Sequence, residues 1–301
     1  MTQHLAELAR SIPWLITPEA LDAMLAIAER EPLPIEVTAE RFHGKPGALA
    51  FAPGTKRDDS HRMMMHDGVA VIRIDGPIFR YADMFTAISG GVTTDQLAFD
   101  FQRALDDPQV RAILFAIDSP GGEVTGINEL ADAIYAARAV KPLGAYGEGY
   151  MASGAYWIAS AAGTVWADAT ALTGSIGTVM CFGDPTKRTR YTIDFVSKQS
   201  PKKRPDPTTE GGRAYLQSLV DRLSDVFVAS VARNRGITEE KVLAVEGAVL
   251  VGQDALDAGL VDSLGSEEQA LAALREQAGM RRGGFNMQSH FRQAFTQGVT
   301  T

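Results

Sequence analysis

Ser153 stands in the run Gly147-Glu148-Gly149-Tyr150-Met151-Ala152-Ser153-Gly154-Ala155-Tyr156, where a strand-like segment gives way to small residues. A serine held at a strand-to-helix turn among small side chains can present its hydroxyl to a substrate. The next amide, that of Gly154, then helps to hold a developing oxyanion. The same serine could simply cap the following helix, and the local sequence weighs the two roles equally. Upstream, Ser119-Pro120-Gly121-Gly122 closes one apolar strand and opens another helix. Glycines there let the backbone approach a ligand closely, with N–H groups pointing outward at a helix start. Neither a Walker pattern nor a Rossmann glycine fingerprint is present, so a phosphate fits less well than an oxyanion. Two such turns in one framework favour the nucleophile.

A serine needs a base to become nucleophilic. The five histidines are His4, His43, His61, His66 and His290, and none falls between residues 67 and 289. That makes a Ser-His-Asp triad awkward, with His66 left open. Lysine serves instead when desolvation or a neighbouring cation lowers its pKa towards neutrality. Downstream of Ser153 the candidates are Lys187, Lys198, Lys202, Lys203 and Lys241. In Lys202-Lys203-Arg204, repulsion between like charges favours the neutral amine; the plainer reading of the cluster is a solvated loop.

The elements that must position these residues follow a βα rhythm from Gly68 onward. Val69 to Ile74 is β-branched and apolar and stops at Asp75-Gly76-Pro77; Thr94 can cap a helix to about Asp106. Val110 to Ile117 is a second strand, Val124 to Ala139 a helix, and Pro142 to Tyr146 a third strand. Further strands are expected at 164–167, 176–180 and 192–196, short helices at 153–161 and in 238–276, and a long amphipathic helix over 210–234. Strands alternating with helices imply parallel sheets covered by helices. Residues 5–31 read as two short amphipathic helices broken by Pro13 and Pro18. The expected division is a helical N-terminal arm and linker over 1–60, a catalytic domain over 61–280 and a flexible tail over 281–301.

Composition narrows the class. The chain has 301 residues, 45% hydrophobic and 22% charged, with net charge −8, which argues against a nucleic-acid surface. The lone cysteine, Cys181, rules out an intrachain disulfide and reads as a packed thiol; a reducing setting is natural. No apolar run approaches the ~20 residues that span a bilayer, so no membrane anchor is expected. Residues 1–31 lack a basic start and carry Glu7, Glu19, Asp22 and Glu29, unlike a signal peptide. A cytoplasmic location is the expectation.

From about Gly68 to Leu264 the chain resembles the signal peptide peptidase A (protease IV) family and the related proteases of tailed phages. The resemblance lies in Asp75-Gly76-Pro77-Ile78, Ser89-Gly90-Gly91, Ile117-Asp118-Ser119-Pro120-Gly121-Gly122, Met151 to Ala159, and Thr173-Gly174-Ser175-Ile176-Gly177, in that order. It implies an α/β fold of ClpP/crotonase type, a superhelix of βα units with parallel sheets, and Ser-Lys catalysis without cofactor or metal. It also implies a homo-oligomeric ring. The family nucleophile falls on Ser153. Its oxyanion hole falls on Gly121, Gly122 and Gly154, and the serine that orients the lysine falls on Ser175. In single-module members the base follows a strand at a spacing that Lys203 meets. The usual Ser-Gly-x-Tyr-Lys-Asp segment is replaced here by Gln199-Ser200-Pro201-Lys202-Lys203-Arg204, so Lys202 competes with Lys203, and Lys203 is preferred.

The resemblance thus implies a serine endopeptidase acting on peptides or proteins, either phage head proteins (capsid, scaffold or portal) or signal-type peptides. Two alternatives belong to other classes. A crotonase-like acyl-CoA enzyme would use the glycine turn with carboxylates, making Glu123 the residue to watch; otherwise Glu123 complements a helix dipole. A silent scaffold would need none of Ser153, Ser175 or Lys203.

Overall fold

The computed structural model describes residues 12–29, 55–56, 60–81, 90–182 and 196–279. In chain order the elements are β1 (Trp14–Ile16), α1 (Pro18–Glu29), β2 (Thr55–Lys56), β3 (Met63–His66), β4 (Val69–Asp75), β5 (Ile78–Phe79), β6 (Val92–Thr93) and α2 (Thr94–Asp106). There follow β7 (Ala112–Ser119), β8 (Gly121–Glu123), α3 (Ile127–Ala137), β9 (Leu143–Ala152), α4 (Gly154–Ser160), β10 (Thr164–Ala167) and β11 (Leu172–Gly174). After a 3₁₀ turn at Pro201–Lys203 come α5 (Glu210–Arg235), α6 (Glu239–Leu243), β12 (Val249–Val251), α7 (Gln253–Asp257), β13 (Ser263–Leu264) and α8 (Glu267–Gln277).

The parallel strands β4, β7 and β9 form the centre of the main sheet. Their apolar runs are buried on both faces. Ala70, Ile72 and Ile74 with Ile113, Phe115 and Ile117 face the larger core, while Val69, Val71, Ala112, Leu114 and Ala116 face Leu271 and Leu274 of α8. A strand covered on both sides can be apolar at every position, which is why these segments read as continuous runs. The α/β expectation with parallel sheets holds.

Two details steer the chain toward the site. First, β5 and β8 follow directly on the carboxyl ends of β4 and β7 and leave the main sheet for a second, four-stranded one, ordered β1-β8-β5-β6. Second, β9 changes partner along its length, pairing with β10 through residues 144–147 and with β11 through 150–152. Between the halves the register with β7 slips, and Asp118 Oδ1 accepts the Tyr150 N–H at 2.8 Å across the irregularity. The slip redirects the strand just before Ser153.

Several boundaries differ from expectation. The cap of α2 is Thr93, whose side chain accepts from Gln96 N, one residue before Thr94. Helix α3 starts at Ile127 instead of Val124, because Gly121–Glu123 is committed to pairing. The expected strand at 176–180 lies earlier, at Leu172–Gly174, leaving only a bridge at Val179. Residues 192–195 of the strand expected at 192–196, and the tail 281–301, lie outside the described residues. The arm departs most: Trp14–Ile16 is a strand, not a helix, and it pairs with β8.

Candidate active site

Ser153 follows the last residue of β9 and precedes α4. Its backbone, φ 53° and ψ −121°, is left-handed in φ, a conformation that costs a non-glycine residue about 1–3 kcal/mol unless the surroundings enforce it. They do so here. Ser153 N–H donates to Gly174 O at 2.7 Å, and Trp157 N–H donates to Ser153 O at 3.0 Å. Behind the turn, Trp157 stacks on Phe227 of α5 with centroids 4.5 Å apart. The side chain is not used as a cap: Ser153 Oγ is buried and has no hydrogen-bond partner among the described residues. A buried hydroxyl left unsatisfied costs free energy, so its retention points to a function.

Ser175 lies beside it. Gly174 pairs with Ala152 in the parallel β9–β11 register, so the two serines follow paired residues on adjacent strands. Ser175 is also left-handed, with φ 52°, and its N–H donates to Ala248 O at 2.9 Å.

The glycine turn converges on the same place. Gly121 has φ +102°, and a Cβ there would stand 3.0 Å from the Gly154 nitrogen and collide with Leu15 O. At Gly122 a Cβ would collide with Ile78 O. One built on Gly154 would lie 3.5 Å from the Gly122 nitrogen. The amides of residues 122 and 154 thus share one small volume next to Ser153, as an oxyanion hole requires.

Lys202 and Lys203 are not brought in, and Lys187 lies outside the described residues. Lys202 and Lys203 occupy the 3₁₀ turn with both side chains exposed, and Lys202 Nζ sits 5.4 Å over the Tyr215 ring. Neither hydrogen-bonds Ser153. His66 is no substitute. It pairs with Val69 at the amino end of β4, whereas Ser153 follows the carboxyl end of parallel β9, across the sheet's full height. Its imidazole is buried there beside Arg275 and Asp67. Glu123 lies on β8 and its carboxylate accepts the Arg80 N–H at 3.1 Å, so it neither caps α3 nor stands free as an acid. Among the described residues, no cluster of metal-ligating side chains occurs and no helix is long and apolar enough to cross a membrane.

Residues 136–281, which include Ser153, Ser175 and Lys203, match the model of peptidase family S49. The chain belongs to peptidase family S49. Capsid assembly protease C of Escherichia phage lambda is 31% identical over 235 residues, covering 76% of this chain and 53% of that protein. Protease 4 of Salmonella typhi is 31% identical over 225 residues, 71% of this chain and 35% of that protein. The S49 chain therefore spans about half of the first relative and about a third of the second. A ClpP1 mutant from Listeria monocytogenes overlays with a TM-score of 0.42 at 16% identity, over 67% of this chain and 94% of that one.

One participant escaped the sequence reading, the strand Trp14–Ile16 on the glycine turn. The available signal was an apolar triplet bracketed by Pro13 and Pro18. A residue before proline is pushed toward extended backbone, and Thr17 is such a residue.

Proposed function

We propose that the chain is a serine endopeptidase that cleaves peptide bonds through an acyl-enzyme, with Ser153 as nucleophile and Lys203 as base. The observation that carries the proposal is the Ser153 hydroxyl, buried and unpartnered on a strained turn beside the Gly122 and Gly154 amides. In this mechanism the neutral Lys203 amine takes the Ser153 proton as Oγ attacks the substrate carbonyl. The oxyanion is held by the backbone N–H groups around Gly121, Gly122 and Gly154. The lysine returns the proton to the leaving amine as the C–N bond breaks. Water, deprotonated by the same lysine, then hydrolyses the ester. Ser175 holds the lysine in place, and the 200–204 segment must move inward to deliver it.

The substrates proposed are protein segments, namely phage or prophage head proteins (capsid, scaffold or portal) or signal-type peptides. The phage lambda relative, a capsid assembly protease, supports the first of these. The enzyme is proposed to work in the cytoplasm as a homo-oligomeric ring. Labelling with a fluorophosphonate, followed by peptide mapping, tests the nucleophile. The adduct is expected on Ser153; a folded protein labelled at another residue and not at Ser153 contradicts the assignment.

A further inference from the structure

A strand already lies along the glycine turn beside Ser153. Trp14–Ile16 lies antiparallel to Gly121–Glu123, with Leu15 opposite Gly122 and Ile16 opposite Gly121. Val124 N–H donates to Pro13 O at 3.4 Å and Thr17 N–H to Pro120 O at 3.0 Å. In an antiparallel ladder bonded pairs alternate, so Leu15 and Gly122 are the pair between them, and the Leu15 carbonyl faces the Gly122 N–H. The strand's other edge is satisfied as well: Trp14 and Val179 exchange N–H···O bonds of 2.9 Å in both directions. A peptide bonded along both edges, one edge being the glycine turn, is held as a protease holds its substrate in β-strand addition.

The register is the informative part. Leu15 O lies against Gly121 and comes 3.2 Å from where a Cβ on Gly154 would stand. That is the volume assigned to the oxyanion, and its amides belong to residues 122 and 154. Leu15 itself is fully buried in the main core, while Trp14 and Ile16 pack with Phe79, Leu21, Met24 and Leu25. Trp14 meets Phe79 edge-on, with centroids 6.3 Å apart. Ser153 is only 1% exposed, so no second peptide can reach it while this strand is in place.

We infer that Trp14–Ile16 is a built-in occupant of the substrate groove, seated with Leu15 on the acyl side of the bond that a substrate would present, and that it keeps the enzyme latent until it leaves. The inference rests on the proposed reading of Ser153. It commits the groove to extended segments with a leucine-sized aliphatic side chain at the position of Leu15.

Binding can be measured without catalysis. In the full chain carrying Ser153→Ala, Leu15→Asp is added, since a carboxylate cannot stay buried unpaired. A fluorescein-labelled hexapeptide with the sequence of residues 12–17 is titrated into the single and the double variant, with folding checked by circular dichroism. At least ten-fold tighter binding to the double variant is expected; equal binding by two folded proteins overturns the inference. Leu15→Gly, which removes the side chain without adding charge, takes its place if the aspartate variant unfolds. With Ser153 intact, Leu15→Asp is expected to cleave unfolded casein at least ten-fold faster than wild type. A binding difference without hydrolysis by any form leaves the occupant in place and removes Ser153 from its proposed role.

Discussion

Ser153 carries two burdens, a left-handed backbone and a buried hydroxyl with no partner. Neither helps the fold. Glycine relieves the first and alanine the second, so both substitutions should leave the protein folded. Ser153→Gly is expected to raise stability by about 1 kcal/mol, read from urea midpoints, while lowering turnover roughly 10⁴-fold or more. A destabilised Ser153→Gly would mean that the hydroxyl supports the fold after all. Ser153 and the Gly121-Gly122 turn were legible in the sequence as strand ends in a regular βα alternation, whereas Ser175 came only from the family resemblance and stood before a strand expected at 176–180. The lysine was not. Lys203 sits on a short turn beyond residues 183–195, and its distance from Ser153 depends on how that turn is folded, which no local pattern encodes.

At the scale of elements, the site is held from behind by helix ends. Arg138 donates to the carbonyls of Ser160, Ala161, Ala162 and Asn234 at 2.6–3.0 Å, tying the end of α4 to the end of α5. Those carbonyls have no helical partners of their own. Replacing the guanidinium by an apolar chain, as in Arg138→Met, is expected to cost about 2–3 kcal/mol by urea unfolding; a change within a few tenths would show that water substitutes freely. The central strands β4, β7 and β9 were legible, since both-sided burial writes a continuous apolar run. β1 was not, because three residues between prolines show no period, and their pairing with β8 is fixed by contacts more than a hundred positions away.

His66, at the opposite end of the sheet, gives the fold a pH dependence. Burial, and after it the Arg275 guanidinium, hold its imidazole below the usual value of 6.5, against the opposing pull of Asp67. The native state thus binds fewer protons than the unfolded chain just below pH 6.5, and stability must fall as pH falls through that region. Above it the contribution is complete. His66→Gln is expected to flatten the stability curve between about pH 7 and pH 5; an unchanged slope would assign the effect to other groups.

For the whole molecule, the long helix α5 is buried mainly from Phe227 onward, with Leu216 buried before it. Of the face expected to turn inward, Leu216 and Phe227 are buried, Leu219, Val220 and Leu223 are half-buried and Val226 is 49% exposed, so part of it is left to solvent in a single copy. This fits the proposed ring. Val226→Asp is expected to lower the mass found by light scattering without changing the circular dichroism spectrum; an unchanged mass would place the contact elsewhere.

Ser153 and Lys203 are proposed to act together on peptide bonds. The most direct test is cleavage of an unfolded protein, followed by mass spectrometry, by wild type, Ser153→Ala, Lys203→Ala and Lys202→Ala, each in the Leu15→Asp chain. Loss of cleavage in the Ser153 and Lys203 variants, with Lys202→Ala retaining it, is the predicted result. Undiminished cleavage by Ser153→Ala would contradict the account.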